Sequence, residues 1–187
     1  MSTRYILHGG NAQDKNNENI KFFKEILKYC KNEANILLVQ FAATPEKQEI
    51  YKARHISQFE EAKDDKKLNY QVATNENFNE QLKWADVIYL CGSSGGGATT
   101  KLIESLRKFD NLKTKIDDKT IAGESAGTNS LTTICYSKSG GIIRGLGLVP
   151  FKSIVHYVSG DENYFKGMYF DIESLYLKSY QFIVYTS

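Results

Sequence analysis

Proline is scarce, with 2 residues in a chain of 187, and cysteine is nearly so, with 3. So little proline leaves no extended linker to divide the chain, and no internal repeat is visible. One domain over residues 1–187 is expected, long enough to bury a sizeable core. The cysteines, Cys30, Cys91 and Cys135, are odd in number and lack metal-ligand spacing. They predict reduced thiols packed as small apolar groups, with no disulfide framework and no metal site. Long apolar runs are missing too. Residues 1–5 lead directly into a strand-like stretch, so neither a leader nor a membrane helix is expected. Charge of one sign is likewise absent in bulk, since Lys and Arg (24) nearly balance Asp and Glu (22). Without a basic patch, nucleic acid is not an expected partner. These absences describe a soluble, cytoplasmic globular protein.

The residues that are present alternate between two periodicities. Residues 4–8, 36–41 and 86–91 are short apolar runs of the kind found in strands covered on both faces. Residues 68–72 make a shorter, more polar strand. Between them lie helical patterns. From about Glu18, Ile20, Phe23, Leu27 and Cys30 recur at helical spacing, and Thr44-Pro45 can start a charged helix reaching about Lys63. Residues 75–84 predict a short helix, and Leu102, Leu106 and Phe109 share a face of another. Strands alternating with amphipathic helices predict an α/β domain with a mostly parallel sheet. Residues 140–150 read as irregular or hairpin structure, 153–157 as a short strand, and 180–185 as an edge strand.

The chemistry centres on Thr120-Ile121-Ala122-Gly123-Glu124-Ser125-Ala126-Gly127. A short apolar run followed by Gly-x-Ser-x-Gly can place Ser125 on a tight turn between a strand and a helix, its Oγ exposed at the sheet edge. It can equally be a glycine-rich turn whose serine caps the helix. A nucleophilic serine needs a base, and the chain has three histidines. His55 falls in the charged helix and is expected to face solvent; His8 ends the first strand, either lining the cleft or packed. His156 is the histidine that follows the turn. Residues 126–155 contain no Asp and no Glu, so the order serine, acid, histidine of α/β-hydrolases is excluded. An orienting acid has to follow His156 or come from earlier in the chain. Glu124 has no identifiable partner and is expected to face solvent. The run Gly95-Gly96-Gly97 lacks the Gly-Lys-Ser/Thr ending of a phosphate loop and the spacing of a dinucleotide site.

Together these residues resemble the peptidase E and cyanophycinase family of serine peptidases. Ile6-Leu7-His8-Gly9-Gly10 is similar to the family's opening strand and double glycine. Ala85-Asp86-Val87-Ile88-Tyr89-Leu90 with Gly95-Gly96 is similar to its Ala-Asp-x-Ile strand and glycine loop. Gly123-Glu124-Ser125-Ala126-Gly127 matches its nucleophile motif, and Gly145-Leu146-Gly147-Leu148-Val149-Pro150 with Val155-His156-Tyr157 resembles the approach to its histidine. The resemblance implies a three-layer, flavodoxin-like α/β fold related to the class I glutamine amidotransferase domain, with helices on both faces of the sheet. It implies Ser125 as nucleophile and His156 as general base. The oxyanion would be held by amides of Gly96 or Gly97 together with Ala126. Small peptides would be the substrates, with no metal or organic cofactor, and a homodimer stays open. Two departures stand out. The family's late acidic segment corresponds here to residues 177–181, which carry no carboxylate, leaving Glu173 and Asp161 as candidate acids. No arginine follows Arg144, so specificity for an aspartyl side chain does not carry over. The alternative is a weak or inactive member binding a peptide or acidic ligand in the same cleft.

Overall fold

The computed structural model describes residues 2–93 and 95–187. Its strands and helices follow the alternation read from the sequence: β1 (Arg4–His8), α1 (Asn17–Leu27), β2 (Glu33–Val39), α2 (Pro45–Ala62), β3 (Lys67–Val72), α3 (Phe78–Trp84), β4 (Val87–Leu90), α4 (Ala98–Leu106), α5 (Leu112–Lys115), β5 (Thr120–Glu124) and α6 (Ala126–Leu131). Then come β6 (Thr132–Ser137), β7 (Gly141–Arg144), β8 (Val149–Val155), a short 3-10 helix (Asp161–Phe165), β9 (Glu173–Leu177) and β10 (Phe182–Thr186). Among the described residues, one sheet runs β10-β1-β5-β4-β2-β3, with β10 antiparallel at one edge and the remaining pairs parallel. This is an α/β fold, and β10, at Phe182–Thr186, forms the edge expected over 180–185.

Side chains alternate across this sheet because consecutive residues of a strand point to opposite faces. Ile6, Ile36, Leu38, Val87, Tyr89 and Ala122 pack on one side with Phe22, Phe23 and Ile26 of α1 and Phe59 of α2. Tyr5, Leu7, Leu37, Val39, Ile88 and Ile121 pack on the other with Phe78, Leu82, Leu102 and Leu106 of α3 and α4. Three layers result. The buried stripe of α1 is Asn19, Phe22, Phe23, Ile26 and Leu27; Phe23 and Leu27 were expected in it, while Ile20 and Cys30 are only partly buried. Asn16 caps this helix, accepting the Asn19 amide at 2.9 Å.

A second sheet, β7-β6-β8-β9, forms after the Ser125 turn. In it β7 gives residues 141–144 the hairpin pairing that was one of the two expectations for 140–150, and β8 starts four residues ahead of the strand expected at 153–157. Its strands were hard to read because α6 ends after six residues and the chain enters β6 through buried polar groups. Those groups satisfy one another: Ser153 Oγ donates to Asn129 Oδ1 at 2.8 Å and lies 2.9 Å from Thr132 Oγ1. The sheet packs Val149, Phe151, Leu175 and Leu177 onto the α3–α4 side of the core. It thereby carries the carboxyl end of β8 to the carboxyl ends of β1 and β5. No helix among the described residues is long and apolar enough to cross a membrane.

Candidate active site

Ser125 follows the last residue of β5 and precedes the first of α6. Its backbone, at φ 50° and ψ −111°, is a conformation that non-glycine residues seldom adopt. Three neighbours hold it there. The Ser125 amide donates to the His8 carbonyl at 3.1 Å, and the Asn129 amide donates to the Ser125 carbonyl at 3.0 Å. The Thr128 hydroxyl accepts the His8 amide at 2.9 Å and donates to the Gly123 carbonyl at 2.7 Å, tying α6 to both strands. Gly127 makes the turn possible, since a Cβ there would stand 2.1 Å from the Leu90 carbonyl oxygen. The strained turn therefore presents Oγ outward at the strand ends, where open parallel sheets place their ligands.

His156, directly after β8, points its ring at this serine: Nε2 lies 3.0 Å from Ser125 Oγ. Its amide donates to the Gly9 carbonyl at 2.8 Å, which fixes the residue at φ 51°. Nδ1 lies 3.0 Å from Ser179 Oγ, a residue of the turn between β9 and β10. If Nε2 accepts the Ser125 proton, Nδ1 carries hydrogen and donates to Ser179. Burial holds the His156 pKa below the usual imidazole value; the Glu124 carboxylate opposes this and Lys138 adds to it.

The structure corrects four expectations about neighbouring residues. Asp161 is not at Nδ1: its carboxylate accepts the Val158 amide at 3.0 Å and closes the turn into the 3-10 helix. Glu173 opens β9 as an exposed residue opposite Phe151 in the second sheet. Neither carboxylate is brought to the imidazole; a hydroxyl stands there instead. The Gly97 amide is engaged, donating to Ser139 Oγ at 3.0 Å. Gly95, ahead of Gly96 and Gly97, lines one hollow beside Ser125 together with Ala126, and Gly92 lines another. Ser94, which belongs to the same loop, lies outside the described residues.

The fourth correction concerns His55 and Glu124, both expected in solvent. Both are buried, and His55 Nε2 lies 3.0 Å from Glu124 Oε1. Glu124 also accepts the Gly92 amide on Oε1 and the Ala12 amide on Oε2, each at 3.1 Å. Burial opposes charge on His55, but Cys91 and Glu124 outweigh it, and the pKa is pushed up to about 10. Burial likewise opposes the Glu124 carboxylate, and its bond to His55 outweighs that, so its pKa is lowered. The 69-residue separation hid this pair. An acidic side chain inside a buried strand was the signal that could have found it. His8 is packed: its Nε2 meets Asn19 Oδ1 at 3.1 Å and its Nδ1 accepts the Gly10 amide at 3.0 Å. Burial lowers its pKa to about 4, so it is neutral.

Two hollows flank the Ser125–His156 pair, and Ser93 borders both. One is lined by Asn11, Gln13, Tyr51 and Arg54; the other by Thr99, Tyr136, Lys138 and Asp161. A cleft that continues past the nucleophile on both sides can seat a chain running across it. Comparison with a family model gives a match to peptidase family S51 over residues 5–177. The chain belongs to peptidase family S51. It is accordingly a serine-type peptidase.

Solved structures agree on the fold. A peptidase from an acI-B1 actinobacterium superposes with a TM-score of 0.68 at 17% identity, over 100% of this chain and 85% of that one. A Listeria monocytogenes EGD-e protein assigned to peptidase E gives 0.61 at 16% identity, over 100% and 98%. No curated protein matches the chain in sequence. In this chain the histidine's second nitrogen meets a serine hydroxyl. Among the described residues, no group of three His, Cys, Asp or Glu side chains is arranged to hold a metal ion.

Proposed function

We propose that this S51 peptidase hydrolyses short peptides through an acyl-enzyme on Ser125, with His156 as general base. The observation that carries the reading is the 3.0 Å approach of His156 Nε2 to the Oγ of a serine on a strained strand-to-helix turn. Ser125 Oγ attacks the scissile carbonyl carbon as its proton passes to Nε2, giving a tetrahedral oxyanion and an imidazolium. The Ala126 amide, next in the chain and at the start of α6, donates to that oxyanion in this reading. The imidazolium then protonates the leaving amine as the C–N bond breaks. Water, deprotonated by the same nitrogen, attacks the acyl carbon and releases Ser125. The reach of His156 favours catalysis over a silent binding cleft. Rapid mixing with an activated ester checks the covalent step: a burst equal to one product per chain is expected, and a linear trace from zero time contradicts an accumulating acyl-enzyme.

Because the base acts in its neutral form and burial lowers its pKa, kcat/KM is expected to rise with pH. The midpoint of the acid limb falls below 6.5, the ordinary imidazole value. A pH–rate profile with its midpoint above 6.5 would count against His156 in this environment.

Substrate preference follows from Arg54. Its guanidinium is exposed, borders the hollow on one side of Ser125, and makes no ion pair among the described residues. The arginine absent after Arg144 is thus supplied from α2. A carboxylate on the substrate, at a side chain or a chain end, suits this position. Arg54→Ala is expected to raise KM for carboxylate-bearing peptides about tenfold, with a much smaller effect on neutral ones, as charged hydrogen bonds of ~1.5–3 kcal/mol allow. Equal effects on both substrate sets would remove Arg54 from recognition.

A further inference from the structure

The acid of a serine triad performs two tasks: it fixes the orientation and tautomer of the imidazole, and its charge stabilises the imidazolium that forms. The Ser179 hydroxyl at Nδ1 can perform the first, but it is neutral. A buried carboxylate adjoins the pair from another direction. Glu124 precedes the nucleophile in the chain and borders the same hollow as Ser125 and His156. We propose that the two tasks are divided: Ser179 orients His156, and the Glu124 carboxylate supplies the negative charge that stabilises its imidazolium. The inference rests on the serine–histidine reading above.

The geometry of Glu124 suits a fixed charge. It is 3% exposed and receives donors on both oxygens, from His55 and Gly92 on one and Ala12 on the other. Those donors come from α2 and from the loops after β4 and β1, so the carboxylate cannot swing away without loosening all three. In buried surroundings its field is screened far less than at the surface. The pair with His55 is neutral as a whole but polar. At His156, Glu124 favours the charged ring, against burial and Lys138. The other ionisable groups facing His156 are the neutral His8 at the end of β1, Asp161, whose carboxylate is turned to the Val158 amide, and Arg54 across the hollow. Glu124 faces His55, His8, Cys91 and Tyr89; burial raises the pKa of both the Cys91 thiol and the Tyr89 hydroxyl.

Glu124 and Ser179 are positioning residues, and a charge test separates them. The pH dependence of kcat and KM on a short peptide is measured for the full chain and three variants. Ser179→Ala is expected to lower kcat about 10–100-fold, the scale of a misplaced catalytic group, with the acid limb unmoved. Glu124→Gln is expected to lower kcat comparably and to move the acid limb to lower pH, with KM little changed. In Glu124→Gln/Ser179→Asp, a carboxylate restored at Nδ1 recovers most of the loss and brings the limb back. If Glu124→Gln leaves the limb in place, or Ser179→Asp fails to repair the loss, Glu124 only braces the loops and the proposal is overturned. Should Glu124→Gln fail to fold, Ser179→Ala decides alone. An unmoved limb supports the division, and a limb shifted down by a unit or more overturns it. Fluorophosphonate labelling of the wild type keeps the two readings apart. If Ser125 is not labelled, the serine–histidine reading has failed. If it is labelled while the variants depart from these outcomes, only the division has failed.

Discussion

Ser125→Ala is expected to lower kcat by about 10⁴- to 10⁶-fold, the range found when a nucleophilic serine is removed from a unit that acts together. KM for short peptides should stay within a few fold, because neither flanking hollow depends on the hydroxyl. The size of the loss follows from the geometry. Without Oγ there is no covalent step for the 3.0 Å contact with His156 to promote, and only the amide of Ala126 and the cleft walls remain. Folding should be intact, since the turn is held by the Ser125 amide, the Thr128 hydroxyl and the Asn129 amide rather than by Oγ. Thermal unfolding checks this independently. Residual activity within tenfold of wild type would mean another group carries the reaction.

Gly10→Ala is expected to be the most damaging change outside the pair itself, lowering kcat/KM by a hundredfold or more. A Cβ at this position would lie 2.1 Å from Cε1 and 2.3 Å from Nε2 of His156, well inside contact distance. Gly10 also sits at φ +119°, which L residues rarely adopt. The loop cannot step back cheaply. Its amide donates to the neutral His8, the Gly10 carbonyl accepts the Tyr180 amide at 3.1 Å, and Gly9 is bonded to both His156 and Gln181. Moving it would shift His156 and the turn that carries Ser179 together. Displacements near 1 Å at a catalytic group cost about 10² in rate. Ser125 should still be present and folded, so slow labelling with an unchanged stoichiometry distinguishes this variant from Ser125→Ala. Wild-type kcat/KM in Gly10→Ala would show that the imidazole does not need this platform.

The same loops show which parts of the site could be read from residues alone. The Ser125 turn was legible because strand, glycines and helix start are contiguous in sequence. His156 was legible by elimination, with few histidines to choose from. Ser179 was not, because a hydroxyl in place of a carboxylate leaves no mark in a chain rich in hydroxyls. Residues 177–181 carry no carboxylate, and nothing in that stretch singled out the serine that meets the imidazole. His55 and Glu124 were misread for a related reason. Each looks solvated when its partner, 69 residues away, is out of view, and only the fold brings α2 against the end of β5.

The fold was read with the same bias toward local signals. The parallel sheet follows from apolar runs such as residues 36–39 and 87–90, which are buried on both faces. The second sheet was read only in pieces, a strand at 153–157 and a possible hairpin at 140–150, because β6 and β7 mix polar and apolar residues and its pairing joins strands across the loop 145–148. Yet that sheet is what delivers His156 and Ser179, through β8 and β9, to a serine built by the first. The Ser125–His156 pair therefore joins a fully legible half to a partly legible one.

The most direct measurement is fluorophosphonate labelling of the intact chain, followed by peptide mapping across pH. The prediction is a single adduct on Ser125, forming faster as pH rises through a value below 6.5 and lost in Ser125→Ala. No adduct, or an adduct that persists in Ser125→Ala, would contradict a nucleophilic Ser125 activated by His156.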